Sequence, residues 1–242
     1  MKPQEEGRPH VFSEPLDRLV GDGARIFFGI GACDLSHCVV EELEAAASKV
    51  GFPCVLKRAH AGYDGKGQRI ISEASQLAEA WDSIAGGPAI VEEFVRFDCE
   101  VSVLLARNPT GEVRFYPLAH NTHRNHVLRT TVAPAAVGAE VAQEGFELAA
   151  TIANALDHIG MMAVEMYLVG GKTLLVNEIA PRVHNSGHWT IDGAECSQFE
   201  NHVRAVAGLP LGATDMHGHA LMFNWIGEMP DSYGRTAMCL HS

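Results

Sequence analysis

The sequence predicts an α+β fold with mixed, largely antiparallel sheets, on three observations. Residues 100–106 alternate apolar and polar, turn at Asn108-Pro-Thr-Gly111 and return over 112–118, which reads as a hairpin. Residues 162–169 and 172–179 flank Gly170-Gly171, whose glycines supply positive φ to a second hairpin. Between them Val141, Leu148, Ile152, Leu156 and Ile159 recur at helical spacing, predicting a long helix over about 138–158, closed by Gly160, with its apolar stripe on the sheet.

The other elements follow in order. Residues 1–14 are polar, rich in Pro, Glu and Gly, and aperiodic, a loose leader. From Ser36, a candidate N-cap, Val40, Leu43, Ala47 and Val50 keep helical spacing up to a terminating Gly51. The apolar run 52–57, entered by Pro53, suits a strand that delivers Lys57 to a Gly-rich segment. A helix over about 75–85 ends at Gly86-Gly87-Pro88, before a strand at 89–95. A last helix near 196–207 precedes Gly208-Leu-Pro-Leu-Gly212, and there is no internal repeat or low-complexity tract.

With 242 residues, 47% of them apolar, the chain can build one large or two modest domains. A net charge of −12 argues against nucleic acid and against anionic membrane surfaces, leaving room for a local basic phosphate pocket. No run approaches the ~20 apolar residues of a membrane span, and the first residues lack a signal peptide's apolar stretch, so the expected location is cytoplasmic. Six scattered cysteines without C-x-x-C read as isolated buried thiols. Thirteen histidines, clustered at His120, His123, His126 and at His184, His188, make a ligand site a candidate.

Four segments carry chemistry. Gly62-Tyr63-Asp64-Gly65-Lys66-Gly67-Gln68 lets backbone N–H groups approach phosphate oxygens while Lys66 adds charge; it is no P-loop, and an ordinary surface hairpin is the alternative. Glu165 and Glu178 lie on the two arms of the Gly170-Gly171 hairpin between apolar flanks and, with the amide oxygen of Asn177, suit Mg²⁺; solvated strand charges are the alternative. Glu92-Glu93-Phe94-Val95, followed by Asp98 and Glu100, can form a hinge offering backbone groups to adenine and a carboxylate to ribose, or simply a solvated strand end. Arg182-Val-His184-Asn185-Ser-Gly-His188-Trp189 puts a guanidinium, two imidazoles and small polar groups in one loop, suited to a phosphorylated polar substrate. Zinc on His184 and His188 would need a helix, which Asn-Ser-Gly breaks; Trp189 reads as packing, and His123 as surface polarity or a ligand contact.

In order and spacing, Lys57, the 62–68 loop, Glu-Glu-Phe-Val, Glu100, His123, Asn177-Glu178, Ala-Pro-Arg-Val-His-Asn-Ser-Gly-His-Trp-Thr and Ser197-Gln-Phe-Glu-Asn-His202 resemble the 5-(carboxyamino)imidazole ribonucleotide synthase family of the ATP-grasp superfamily, over about 18–230. The resemblance implies an ATP-grasp fold with ATP held between two α+β subdomains: a domain over 15–230, divided into a lid at about 36–95 and a catalytic part at 96–230, with a tail at 231–242. It implies that Lys57 and Gly62, Tyr63, Asp64, Gly65, Lys66, Gly67 and Gln68 hold ATP phosphates, and that Glu92, Glu93, Phe94 and Val95 contact adenine. Glu100 would take the ribose, with His123 and Arg18 as further nucleotide contacts. Glu165 with Asn177 and Glu178 would bind Mg²⁺, or Mn²⁺. Tyr63, Asp64, Arg182, His184, Asn185 and His188 would form the aminoimidazole ribonucleotide and bicarbonate side.

The implied reaction is ATP-dependent carboxylation of 5-aminoimidazole ribonucleotide by bicarbonate through carboxyphosphate, in purine (IMP) biosynthesis. Family members carry an N-terminal doubly wound domain and a C-terminal β-rich domain that are not seen here, and residues 21–33 fit the family poorly. A homodimer or a partner chain supplying those parts is therefore expected, and a nucleotide-binding module without turnover, or half of a split enzyme, stays open. A related ligase acting on a carboxylate such as formate is opposed by His-Asn-Ser-Gly-His-Trp.

Overall fold

In the computed structural model, which describes residues 40–58, 67–84, 89–225 and 227, the chain builds two sheets. The smaller has the order β2-β1-β3, from β1 (Cys54–Arg58), β2 (Gln68–Ile71) and β3 (Ala89–Glu93). Helices α1 (Val40–Val50) and α2 (Leu77–Ser83) cover one face, burying Leu43, Ala47, Leu77 and Ala80 with Cys54, Leu56, Ile71 and Val91. Strand alternation leaves Lys57 and Glu92 together on the other face. The helix expected at 75–85 divides into a 3₁₀ turn, Ala74–Gln76, and α2. The strand expected to run to Val95 stops at Glu93, and Phe94 donates its N–H to Pro53 O at 3.3 Å. The leader, Arg18, the helix start at Ser36, residues 62–66 and the tail lie outside the described residues.

Among the described residues, the larger sheet has seven strands. They are β4 (Cys99–Arg107), β5 (Val113–Phe115), β6 (Ala119–Arg124), β7 (Val127–Ala133), β8 (Gly160–Val169), β9 (Thr173–Ala180) and β10 (Ala220–Phe223), ordered β10-β7-β6-β4-β8-β9 with β5 on β4. Every described pairing is antiparallel, the limiting form of the sheet expected from the sequence. Helix α3 (Ala139–Ala155) lays Val141, Leu148 and Ile152 over Val103, Leu105, Met162, Val164 and Val176. It ends before the predicted stop: Asp157 takes φ 45°, His158 N–H bonds Ala153 O at 3.0 Å, Gly160 opens β8, and Ile159 is exposed rather than part of the stripe.

The opposite face is covered at one end by α4 (Thr190–Gly193) and α5 (Gln198–Val206), with Leu104, Ala106, Met161, Ala163, Tyr116, Trp189 and Ala205 buried between. Tyr116 Oη donates to Cys196 O and accepts from Asn201 Nδ2, each at 2.8 Å, so the Tyr116 hydroxyl is satisfied. Trp189 packs edge-on to Tyr116, in keeping with a packing role. Cys54 and Cys196 are free, buried thiols. No described helix is long and apolar enough to cross a membrane.

Ile152 is fully buried where α3 meets the sheet. Ile152→Ala is expected to cost ~2–5 kcal/mol, seen as a lower urea midpoint with an unchanged m-value.

Candidate active site

The end of the larger sheet not covered by α4 and α5 carries a row of polar side chains, placed by register. Ser102 lies opposite Glu165, Glu165 opposite Glu178, and Glu100 opposite Asn121. Directly opposed residues of antiparallel strands share a face, and Glu100 and Ser102 are two residues apart, so the three carboxylates face one way. A β-bulge between Glu165 and Met166 leaves Asn177 as the extra residue of β9, and its Oδ1 accepts from Lys57 Nζ at 3.3 Å. Lys57 Nζ also lies 2.5 Å from Glu92 Oε2, so this lysine ties the smaller sheet to the larger. Glu92 is thereby the ion-pair partner of Lys57, a side-chain contact that leaves its backbone groups free of that pairing.

A second bulge, beside His123, leaves Arg129 as the extra residue of β7. His123 Nδ1 meets the Glu100 carboxylate, and although burial works against its charge, the hydrogen bond and charge of Glu100 prevail and raise its pKa. Burial pushes the Glu165 carboxyl up to about 7, with His123 opposing and Glu178 and Glu100 adding to the rise. His184 is held neutral, its pKa lowered to about 4 by burial and then by Arg182, His188 and His123. Its 3.8 Å approach to Glu165 is therefore no ion pair; its Nδ1 lies 2.9 Å from Ser186 Oγ instead.

Among the described residues, Ser102 Oγ, Asn121 Nδ2, Arg129 Nε and Glu165 Oε1 on this sheet, and Asn185 Oδ1 in the 3₁₀ turn Asn185–Gly187 after β9, are buried without hydrogen-bond partners, as is Trp189 Nε1 in the core under α4. Each such atom costs ~1–3 kcal/mol, so their concentration marks a surface built to receive a polar ligand. Glu165, Glu178 and Asn177 form an all-oxygen donor set, and the unpartnered Glu165 oxygen beside Glu178 fits a hard divalent cation such as Mg²⁺ or Mn²⁺. His184 and His188 flank a 3₁₀ turn rather than sharing one helix face.

The remaining predicted residues are less closely gathered. Arg182 is exposed and donates Nη1–H to Val183 O at 2.9 Å; His188 is exposed, its ring against Phe199. Gln68 Nε2 lies 2.8 Å from His126 Nδ1. Gly67 is the last residue of its loop within the described residues; Gly62, Tyr63, Asp64, Gly65 and Lys66 fall outside them. Sequence reasoning missed Ser102, Arg129 and Gln198. An arginine inside the β-branched run Val127-Leu-Arg-Thr-Thr-Val132 was the available signal for the second.

Because Glu165 has its pKa near 7, a cation at this pair displaces a proton below that pH. Mg²⁺-dependent nucleotide affinity should fall up to ~10-fold per unit below pH 7 and level off above about pH 8, in titrations at fixed ionic strength.

Residues 35–199 match the ATP-grasp domain family. The chain is similar to the N5-carboxyaminoimidazole ribonucleotide synthase of Pseudomonas aeruginosa, 48% identical over 78% of this chain and 52% of that protein. It is likewise similar to that of Bacillus subtilis, 44% identical over 77% of this chain and 49% of that protein. Among solved structures, the Thermus thermophilus N5-carboxyaminoimidazole ribonucleotide synthetase superposes with a TM-score of 0.72 at 46% identity, covering 80% of this chain and 52% of its own. The Aspergillus clavatus N5-carboxyaminoimidazole synthase, in complex with ADP and 5-aminoimidazole ribonucleotide, gives 0.74 at 30% identity, covering 83% and 53%. The chain spans about half the length of the relatives it matches.

Proposed function

The chain belongs to the ATP-grasp family, and we propose that it binds MgATP at the carboxylate row and uses it to carboxylate 5-aminoimidazole ribonucleotide with bicarbonate, a cytoplasmic step of purine biosynthesis. The observation that carries this reading is the group of buried, unpartnered polar atoms around Glu165, beside Lys57. Their chemistry suits a nucleotide with its cation, and similarity to N5-carboxyaminoimidazole ribonucleotide synthases supplies the substrate.

In this reading Lys57 and the 62–68 loop hold the phosphates, Glu92, Glu93, Phe94 and Val95 meet the adenine, and Glu100 with His123 faces the ribose. Glu165, Glu178 and Asn177 would hold Mg²⁺, which would neutralise phosphate charge there. A bicarbonate oxygen attacks the γ-phosphorus and the bond to ADP breaks, giving carboxyphosphate. The exocyclic amine then attacks the carboxyl carbon, the C–O bond to phosphate breaks, and the amine loses a proton. Lys57, Arg129 and Arg182 supply positive charge for these anions, and His184, Asn185 and His188 orient bicarbonate and ribonucleotide.

ADP release with ATP, Mg²⁺ and bicarbonate, measured with and without 5-aminoimidazole ribonucleotide, tests the proposal. Stimulation by the ribonucleotide is expected. Nucleotide binding without stimulation would reduce the chain to a binding module, and no nucleotide binding would overturn the reading.

A further inference from the structure

Gln198, the first residue of α5, has no solvent exposure, yet its side chain reaches into the 184–188 loop. Its Oε1 accepts from His184 N–H at 3.0 Å, and its Nε2 donates to His184 O at 2.7 Å and lies 2.9 Å from His188 Nδ1. The two backbone groups fix the amide's orientation, because an N–H can only donate and a C=O can only accept. The amide oxygen must face the first and the NH₂ the second. The atom that meets this NH₂ next, His188 Nδ1, must then be an acceptor.

The loop is clamped from the other side as well. Thr190 Oγ1 donates to Gly187 O at 2.7 Å and accepts from Gln198 N–H at 2.9 Å. The His188 ring also rests on Phe199, the next residue of α5, at 5.5 Å between centroids. Nε2, on the ring edge away from Gln198, has no partner among the described residues, and His188 is exposed.

We infer that Gln198 is a positioning residue that fixes His188 as the Nε2–H tautomer, so that this histidine presents a neutral hydrogen-bond donor to an oxyanion of the substrate. Desolvation of the ring lowers the His188 pKa, in the same sense. In such a site His188 binds a carboxylate-like or phosphate oxygen and takes no proton from it. The identity of that oxyanion rests on the carboxylation reading; the tautomer does not.

The ring nitrogens of His188, assigned by comparison with His188→Asn, can be read by long-range ¹H–¹⁵N NMR of the full chain at pH 8 without ligand. The wild type is expected to show Nε2–H alone; Nδ1–H, or a mixture, would overturn the inference. Gln198→Met, which keeps length but loses both amide groups, should give a tautomer mixture, and pure Nε2–H there would show that another group sets it. Should Gln198→Met fail to fold, by circular dichroism, the wild-type spectrum decides alone. In a folded Gln198→Met, the KM for bicarbonate is expected to rise about 10-fold more than kcat falls. An unchanged KM beside the altered tautomer would overturn the oxyanion-donor role.

Discussion

Glu178→Gln is expected to weaken Mg²⁺-dependent binding of a non-hydrolysable ATP analogue about 100-fold, ~2.7 kcal/mol, in calorimetric titrations. The register that sets Glu178 opposite Glu165 brings two carboxylates together, one of them in a desolvated position and lacking a partner for Oε1 among the described residues. A bound divalent cation would relieve their mutual repulsion. Replacing one charge by a neutral amide removes most of the attraction for the ion and also relieves the strain on Glu165. The variant should therefore be at least as stable as the wild type without ligand, while binding the nucleotide poorly. Equal affinity in the two proteins would remove the cation from this pair.

Gly187→Ala should be the most damaging single-methyl change in the loop. An added Cβ would lie 2.6 Å from Gln198 Oε1, 2.8 Å from its Cδ and 2.9 Å from Leu104 Cδ1. Gln198 is buried and bonded to His184 on both sides, so it cannot swing aside without stranding its amide. Overpacking costs ~1–3 kcal/mol and a stranded buried amide ~1–3 more, so a loss of about 3 kcal/mol is expected in urea unfolding, with ribonucleotide-stimulated turnover abolished. Gly170 is the control. Its φ of 60° disfavours a side chain, but an added Cβ meets nothing within 4 Å, and Gly170→Ala should cost only about 1 kcal/mol. Similar losses at the two glycines would show that the loop yields.

Much of this architecture is legible in the chain. The two hairpins around Asn108-Pro-Thr-Gly111 and Gly170-Gly171 announce themselves because their turns need the residues they contain. Glu165 and Glu178 can be paired from their places on either side of Gly170-Gly171. Strands β6 and β7 are not legible in the same way, and the reason lies in their buried polar residues. Asn121, His123 and Thr131 occupy positions where a structural strand would carry apolar residues, so the alternation that reveals a half-buried strand is absent. Their turn, Asn125-His126, also lacks glycine although both residues take positive φ.

The two bulges escaped for a different reason. A bulge adds one residue to one strand, and local sequence carries no mark of which residue of Asn177-Glu178 or Leu128-Arg129 is the extra one. The Lys57–Glu92 pairing likewise depends on the register of β1 against β3, which composition does not specify. The early end of α3 follows from Asp157 taking a left-handed conformation, a role the sequence offered more readily to Gly160.

The central claim, that ATP is spent on phosphorylating bicarbonate, is tested most directly by following oxygen. With ¹⁸O-labelled bicarbonate, ATP, Mg²⁺ and 5-aminoimidazole ribonucleotide, the oxygen that attacks the γ-phosphorus stays with phosphorus when the amine takes the carboxyl carbon. One ¹⁸O per released phosphate, detected by ³¹P NMR, is the predicted result. Phosphate whose fourth oxygen is unlabelled solvent oxygen would mean attack by water and would contradict the account.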